Sequence, residues 1–183
     1  VNAAGRLYDS SQALNLFLED DEQKAYEAAV SLGEQNDERK QIEARVYEEA
    51  VKQIEDERRP DEWSLANTKG PIIAYDSSWH QGVLGIVAGR LSSTFRRSAI
   101  VFTADSIEPG NVKGSGRAYG DYDLFAALGR VSDNLINFGG HKKAAGVPLR
   151  KSDLTTFMKA LEVDAVANAP EEGEQDELEV TAK

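Results

Sequence analysis

The sequence predicts an α/β protein in which a mixed β-sheet is flanked by helices and preceded by a long connecting helix. Two observations carry this prediction. After residue 70, short apolar segments typical of buried strands alternate with helical patterns, which is the arrangement of an α/β layer structure. Between Glu22 and Arg58 the sequence has no proline and a single glycine, and its apolar residues recur at helical spacing.

A short helix is predicted before this long segment. Asp9, Ser10 and Ser11 are candidates for its N-cap, and it is expected to end near Leu18. Five apolar residues are expected to form its buried side: Ala13, Leu14, Leu16, Phe17 and Leu18.

Asp20 and Asp21 can cap the long segment that follows, which at about 1.5 Å per residue would extend roughly 55 Å if it were a single helix. Its charge-rich middle, residues 34–43, has little to bury. We therefore expect either one long helix or two helices that act as a strut between two lobes. A coiled-coil partner helix is the alternative, although the heptad pattern is too short to favour it.

The rest of the chain is predicted as alternating strands and helices followed by a polar tail. The expected strands are 72–75, 99–102, 112–118 and 144–149. The expected helices are 82–95, 122–130 with a continuation at 133–138, and a last helix that Ser152 caps and that ends near Val163. Beyond residue 165 the composition is acidic and typical of a linker, and residues 177–180 alternate like the first strand of a further domain.

The charge of the chain is unevenly distributed, and this bears on its partners. The net charge is −11, yet residues 71–150 carry 9 Lys and Arg against 6 Asp and Glu, whereas the acidic residues concentrate in the long helix and the tail. A basic block within an acidic chain permits contact with nucleic acid.

Composition also excludes several classes of site. With two histidines and no cysteine, neither a His-rich nor a thiolate metal site is available, and disulfides are excluded. No apolar run approaches the roughly 20 residues that span a membrane. The chain begins without Met or a signal peptide, so we expect a piece of a longer protein. The absence of cysteine is compatible with the cytoplasmic location that we expect, and no contact with membranes is expected.

The Gly-rich segment at 137–146 (Asn-Phe-Gly-Gly-His-Lys-Lys-Ala-Ala-Gly) is the first candidate site. Its small residues Gly139, Gly140 and Gly146 would let backbone N–H groups approach an anion, and His141 and Lys142 would supply further donors. A phosphate is the anion that fits best. The alternative is an ordinary turn with a surface histidine.

Two further motifs lie in the basic block. In a strand, Lys113, Ser115 and Arg117 of the Lys-Gly-Ser-Gly-Arg segment would point to one face, where Arg117 could bind a phosphate through two hydrogen bonds. A solvated strand edge is the alternative. His80 lies in a Ser-Trp-His-Gln-Gly segment where a strand passes into a helix, a position that attracts anions, although it could equally cap that helix.

These parts could hold a phosphate, but they do not form a catalytic centre. The Asp residues of the basic block are scattered, and no Ser/His/Asp arrangement is credible with two histidines.

Together, the three motifs resemble the RecJ-like single-strand-specific exonucleases of the DHH phosphoesterase superfamily. The motifs that carry the resemblance are residues 79–91, 113–117 and 138–146, which match the DHH-associated substrate-binding domain of that family, and the resemblance covers roughly residues 1–165. Residues 2–6, Asn-Ala-Ala-Gly-Arg, are similar to the segment that closes the family's catalytic DHH domain. The resemblance implies that residues 1–20 end a truncated DHH domain, 21–60 connect two domains, 70–165 form the DHH-associated domain and 166–183 form an acidic linker or tail.

What the resemblance implies about function is specific. Such enzymes hydrolyse single-stranded DNA from the 5′ end with Mn²⁺ or Mg²⁺ held by the DHH domain, so this chain alone is expected to bind no metal and not to cleave. Gly139, Gly140 and His141 would face the scissile phosphate, with His141 in a supporting catalytic role. Ser115 and Arg117 would hold a phosphate, and His80 and Arg6 would lie nearby. Single-strand-binding protein and other repair proteins are further partners that it suggests.

Two other functions stay open at this stage. One is a related phosphodiesterase that acts on short oligonucleotides or cyclic dinucleotides. The other is a non-catalytic module that binds nucleic acid or protein, with the acidic helix and tail as partner surfaces.

Overall fold

The computed structural model describes residues 4–9, 11–56 and 69–168. These residues form two layers of helices with a five-stranded sheet between them. The helices are α1 (Ala4–Leu7), α2 (Ser11–Leu18), α3 (Glu22–Glu55), α4 (Leu84–Phe95), α5 (Leu124–Arg130) and α6 (Leu154–Ala167). The strands are β1 (Ile72–Tyr75), β2 (Ala99–Ala104), β3 (Asn111–Arg117), β4 (Gly139–His141) and β5 (Ala144–Arg150). No helix in the described ranges is long and apolar enough to cross a membrane.

The long segment is one helix, α3, of 34 residues. Asp21 begins it, because its carboxylate accepts hydrogen bonds from the backbone N–H groups of Gln23 and Lys24, which lack partners within the helix. Only the second half of α3 packs on the sheet, through Val46, Ala50 and Ile54.

The sheet is mixed, as predicted, with strand order β1-β2-β3-β5-β4. Strands β1 and β2 are parallel and are joined by α4, and the remaining neighbours are antiparallel. This places the short Gly139–His141 strand at one edge and β1 at the other.

Each face of the sheet has its own core. On one face, α3 and α4 cover β1 and β2, with Leu91, Val87 and Val101 fully buried. On the other face, α5 and α6 cover the centre of the sheet, and Phe102 meets Phe157 edge-on at a centroid distance of 6.0 Å. On the face covered by α3 and α4, the helices lie over β1 and β2. At the opposite edge of the sheet, in β4 and β5, Gly139, His141 and Gly146 are exposed.

Several sequence-based expectations were wrong. In α2, Leu14, Phe17 and Leu18 are exposed rather than buried, because the apolar contact with α3 is made by Ala13 and Leu16.

Local geometry differs from prediction at four further places. A 3₁₀ turn at Gln81–Val83 precedes α4, and another at Ser132–Asn134 replaces the predicted continuation at 133–138. Ser152 does not cap α6, since its hydroxyl bonds to the Asp153 carboxylate and a 3₁₀ turn at Lys151–Asp153 leads into the helix. The predicted Gly-rich loop contains strand β4 at Gly139–His141, whereas the strand expected at 144–149 is present as β5. The expected linker or tail beyond 168 and the strand at 177–180 lie outside the described residues, as does most of the segment between α3 and β1.

Candidate nucleic-acid interface

Strand register assembles the predicted residues into two rows across β3, β5 and β4. Ser115 pairs with Gly146, which pairs with Gly139. In the next row Arg117 pairs with Ala144, which pairs with His141. Because paired residues share a face of the sheet, motifs that are distant in sequence meet on one surface.

Arg117 is held between strand β3 and helix α4. Its Nη1 donates to the Gly116 carbonyl at 2.7 Å and to Ser115 Oγ at 3.3 Å. Gly85 and Gly89, one helical turn apart on α4, leave space for its side chain. A Cβ at Gly85 would lie 2.7 Å from Arg117 Nη2 and 2.9 Å from Ser115 Oγ, whereas one at Gly89 would lie 3.8 Å from Arg117 Cγ.

Arg6 joins this group from α1. Its Nη1 lies 3.5 Å from the Gly82 carbonyl, and a Cβ at Gly82 would collide with the Arg6 backbone oxygen at 1.9 Å. Burial lowers the pKa of the Arg117 guanidinium, and the nearby positive charge of Arg6 lowers it further. Within the described ranges neither arginine has a carboxylate at salt-bridge distance. Two guanidinium groups whose charges affect each other, and that have no carboxylate partner among the described residues, are suited to binding an anion.

In both histidines Nδ1 is hydrogen-bonded within the protein, and Nε2 is the ring nitrogen that faces outwards. His80 Nδ1 accepts from the Gly82 N–H at 3.1 Å, and His141 Nδ1 accepts from the Lys143 N–H at 3.3 Å. A neutral imidazole that accepts at Nδ1 carries its proton on Nε2. Both rings are exposed, so each can offer an Nε2–H donor. His80 caps the 3₁₀ turn and keeps this donor free, so its two alternative roles are compatible.

The lysines of the motifs are engaged with groups of the protein. Lys113 shares the face of Ser115 and Arg117 but forms a salt bridge to Asp105 at 3.0 Å. Lys142 lies 3.9 Å from the Asp121 carboxylate, and Lys143 donates to the Gly120 carbonyl. The arginines therefore provide the free positive charge of this surface.

The glycines of β4 differ in what they do. Gly140 has a φ of 147°, and a Cβ there would lie 2.2 Å from the Ala144 carbonyl, so the strand pairing itself requires glycine. A Cβ at Gly139 would meet nothing within 4 Å. The backbone at Gly139 is thus open to a ligand, and the fold does not require glycine there.

A metal centre does not fit the residues that the structure describes. In these ranges no group of three or more His, Asp or Glu side chains converges in a way that could hold a metal ion. The chemistry available here is the binding and orientation of an anion by N–H donors.

Sequence reasoning missed the part that α4 plays. Gly85 and Gly89 lie four residues apart, so they share one face of the helix, and that spacing was the available signal for a groove. It did not indicate which side chain would fill the groove.

Comparison with known proteins decides the family. Residues 69–166 match the family model of the DHHA1 domain. The chain belongs to the DHHA1 domain family. This DHHA1 domain is similar to single-stranded-DNA-specific exonuclease RecJ of Bacillus subtilis, with 34% identity over 161 residues. The match spans 88% of this chain and 19% of the relative. RecJ of Escherichia coli is 35% identical over 87% of this chain and 27% of its own length.

The fold of this chain is also similar to that of solved RecJ structures. The crystal structure of Thermus thermophilus RecJ in complex with Mg²⁺ matches with a TM-score of 0.75 and 28% identity, over 91% of this chain and 24% of that one. A structure of exonuclease RecJ bound to manganese matches with a TM-score of 0.74 and 29% identity, over 93% of this chain and 39% of that one. The chain thus spans between 19% and 27% of the length of the curated RecJ relatives named above.

Proposed function

We propose that this DHHA1 domain is the substrate-binding half of a RecJ-like 5′-to-3′ exonuclease that hydrolyses single-stranded DNA. The observation that carries the proposal is the pair of guanidinium groups of Arg6 and Arg117, neither of which has an acidic partner in the described ranges. Arg117 shares a row with the exposed His141 and lies next to the row of the exposed Gly146 and Gly139. Such a surface holds backbone phosphates and cannot distinguish sequences, which suits a degradative nuclease.

In this proposal each hydrogen-bond donor of the surface has its own role. Arg117, Ser115 and Arg6 bind a phosphate, while His141 and the Gly139 backbone face the scissile phosphate from the edge of the sheet. His80, Gly140, Gly146, Lys113 and Lys142 complete the predicted interface, the last two as shielded positive charges. The divalent metal, Mn²⁺ or Mg²⁺, is held by a catalytic DHH lobe in this proposal, which is supported by the RecJ structures determined with Mg²⁺ or Mn²⁺. This chain by itself is then inactive.

The remaining predictions concern context. We propose that residues 1–20 belong to the catalytic lobe, that α3 joins the two lobes, and that the protein acts in the cytoplasm. Single-strand-binding protein and other repair proteins are its proposed further partners.

Binding by this chain tests the first half of the proposal. Fluorescence anisotropy with a 5′-phosphorylated dT12 should show weak association that falls with salt, with a log–log slope of about −2, because two or three phosphates are neutralised at roughly 0.7 per contact. Arg117→Ala should abolish measurable binding. Arg45→Ala, which removes an exposed arginine from α3, should leave it unchanged.

Catalysis is tested in a hybrid in which this chain replaces the matching segment of Thermus thermophilus RecJ, a relative 30% identical over 166 residues. With Mn²⁺ present, Arg117→Ala should lower digestion of long single strands at least tenfold, since a charge-assisted contact contributes about 1.5–3 kcal/mol. Unchanged digestion by this variant would overturn the proposal. Faster cleavage of dinucleotides than of long strands would favour the short-oligonucleotide function instead.

A further inference from the structure

A separate cavity of about 300 Å³ lies at the carboxyl ends of the parallel strands β1 and β2. Ser77, His80 and Gln81 from the segment after β1 and Ser106 from the segment after β2 form its exposed rim. The floor is closed by the Thr103 hydroxyl, which donates to the Trp79 carbonyl at 2.7 Å. Ligands of α/β sheets bind at this edge, and the volume is that of a small ligand pocket.

The rim consists of neutral groups that donate and accept hydrogen bonds. The hydroxyls of Ser77 and Ser106 and the amide of Gln81 do both, and His80 offers its Nε2–H. No Lys or Arg lines the cavity in the part of the chain that the structure describes. Its chemistry therefore differs from that of the Arg6 and Arg117 pair.

Two carboxylates lie beside the cavity, and the one that has no lysine or arginine partner among the described residues, Asp76, makes it unfavourable for a phosphate, whereas Asp105 is paired with Lys113. The Ser78 hydroxyl and N–H hold the pKa of Asp76 below its usual value, and the Ile107 N–H, with Lys113, does the same for Asp105. Both are ionised at neutral pH. An uncharged, planar group with several hydrogen-bonding edges suits this environment.

Gly82 connects the cavity to the two arginines. Its N–H donates to His80 Nδ1 on the cavity rim, and its carbonyl lies 3.5 Å from Arg6 Nη1. A single residue thus separates a site for phosphate from a pocket for a neutral ring. A DNA strand presents these two groups side by side.

We propose that this cavity is a nucleobase subsite, which receives a base of the strand whose phosphate is held by Arg6 and Arg117. The inference rests on the proposed function. Because hydroxyls and amides reorient to donate or accept, the subsite takes any of the four bases, and its contribution is to fix the strand's position rather than to read sequence.

The test uses the full 183-residue chain with 5′-phosphorylated dT12 and with copies that carry one abasic tetrahydrofuran unit at each of the first four positions. One abasic position should weaken binding about fivefold, the size of a neutral hydrogen bond's net contribution. Ser77→Leu and Ser106→Leu, which fill the cavity, should weaken the binding of dT12 by the same factor. They should leave the binding of the strand with the sensitive abasic position unchanged. Ser132→Leu, at an exposed serine after α5, is the matched control.

Crosslinking gives a second readout that tolerates weak binding. With 4-thiothymidine at the sensitive position, ultraviolet light should attach the strand to tryptic peptide 70–90 or 98–113, which carry the rim residues, and the filling variants should suppress this product. If an abasic unit leaves the binding affinity unchanged at all four positions, or if crosslinks are confined to other peptides, the proposal of a nucleobase subsite is wrong. If Arg117→Ala then still abolished binding, the proposed function would stand without it.

Discussion

The guanidinium of Arg6 lies close enough to that of Arg117 for its charge to lower the pKa of Arg117, after the larger effect of burial. No salt bridge offsets this repulsion within the described ranges. Two like charges held together cost folding free energy. An arrangement that disfavours the free protein is expected where an anionic ligand supplies the missing charge.

Removing Arg6 should therefore separate stability from binding. Arg6→Ala is expected to leave the free energy of unfolding unchanged or to raise it slightly, because Arg117 loses a repulsive neighbour. Binding of 5′-phosphorylated dT12 should fall about tenfold, since a charge-assisted hydrogen bond is lost. Urea unfolding and anisotropy measure the two effects, with Arg45→Ala as the control. A variant that is less stable yet binds normally would contradict this account.

The two glycines of α4 give a sharper test of the Arg117 position. A Cβ at Gly85 would meet the tip of the Arg117 side chain and the Ser115 hydroxyl, both of which can rotate away, so Gly85→Ala should fold with a stability within about 1 kcal/mol of the parent while displacing Arg117 and Ser115 Oγ. DNA binding should fall as in Arg117→Ala.

Gly89→Ala is its matched control. The contact that it would make, 3.8 Å to Arg117 Cγ, is an ordinary van der Waals distance. It should leave binding intact and stabilise the helix by up to about 1 kcal/mol. If both variants bind equally well, the groove in α4 does not position Arg117.

Sequence patterns were sufficient for most of the fold. Helical spacing in α3 and apolar runs such as Ile72–Tyr75 are strong signals, because burial of a repeating face determines the element. The errors arose where contacts with other elements determine which residues of a helix are buried. The periodicity of α2 could not show that Leu14 and Phe17 would lie exposed, since one neighbouring helix covers only one side.

The site was partly predictable for a similar reason. Strand alternation correctly places Ser115 and Arg117 on one face. Pairing register, which brings Arg117 and His141 into one row, depends on contacts between segments distant in sequence. The partner of each lysine is equally non-local, so the salt bridge between Lys113 and Asp105 was not visible beforehand.

Gln53 of α3 completes the edge of the sheet, and its loss should be costly. Its amide Nε2 donates to the Tyr75 carbonyl and its Oε1 accepts from the Tyr75 N–H, both at 2.9 Å, as a neighbouring strand would. Gln53→Ala leaves both backbone groups of this part-buried residue without a protein partner, so we expect a loss of about 2 kcal/mol in urea unfolding. Gln53→Glu keeps the acceptor for the Tyr75 N–H but places a carboxylate oxygen, which cannot donate, against the Tyr75 carbonyl, so it should also be destabilising at neutral pH. The exposed Gln41, replaced by Ala, should change stability by less than about 0.5 kcal/mol.

Tyr122 should make the stability of the protein fall at high pH. Its hydroxyl is buried without a hydrogen-bond partner in the described part of the chain, and burial, together with the Asp164 charge, raises its pKa to about 12. In the unfolded chain a tyrosine titrates near pH ~10.

The direction of this change in stability with pH follows from the number of protons that each state binds. Between these two values the folded state keeps the proton that the unfolded state releases, so the stabilisation is complete below about pH 10 and is lost as the pH rises towards about 12. Absorbance at 295 nm should show a late tyrosine ionisation that Tyr122→Phe removes, whereas Tyr8, whose pKa is raised by its hydrogen bond to Glu38, should titrate unchanged in this variant. Because the variant also loses an unsatisfied buried hydroxyl, it should equal or exceed the wild type in stability at neutral pH. Its advantage in urea unfolding should widen from about pH 9 to about pH 11, and a constant difference across this range would show that Tyr122 ionises normally.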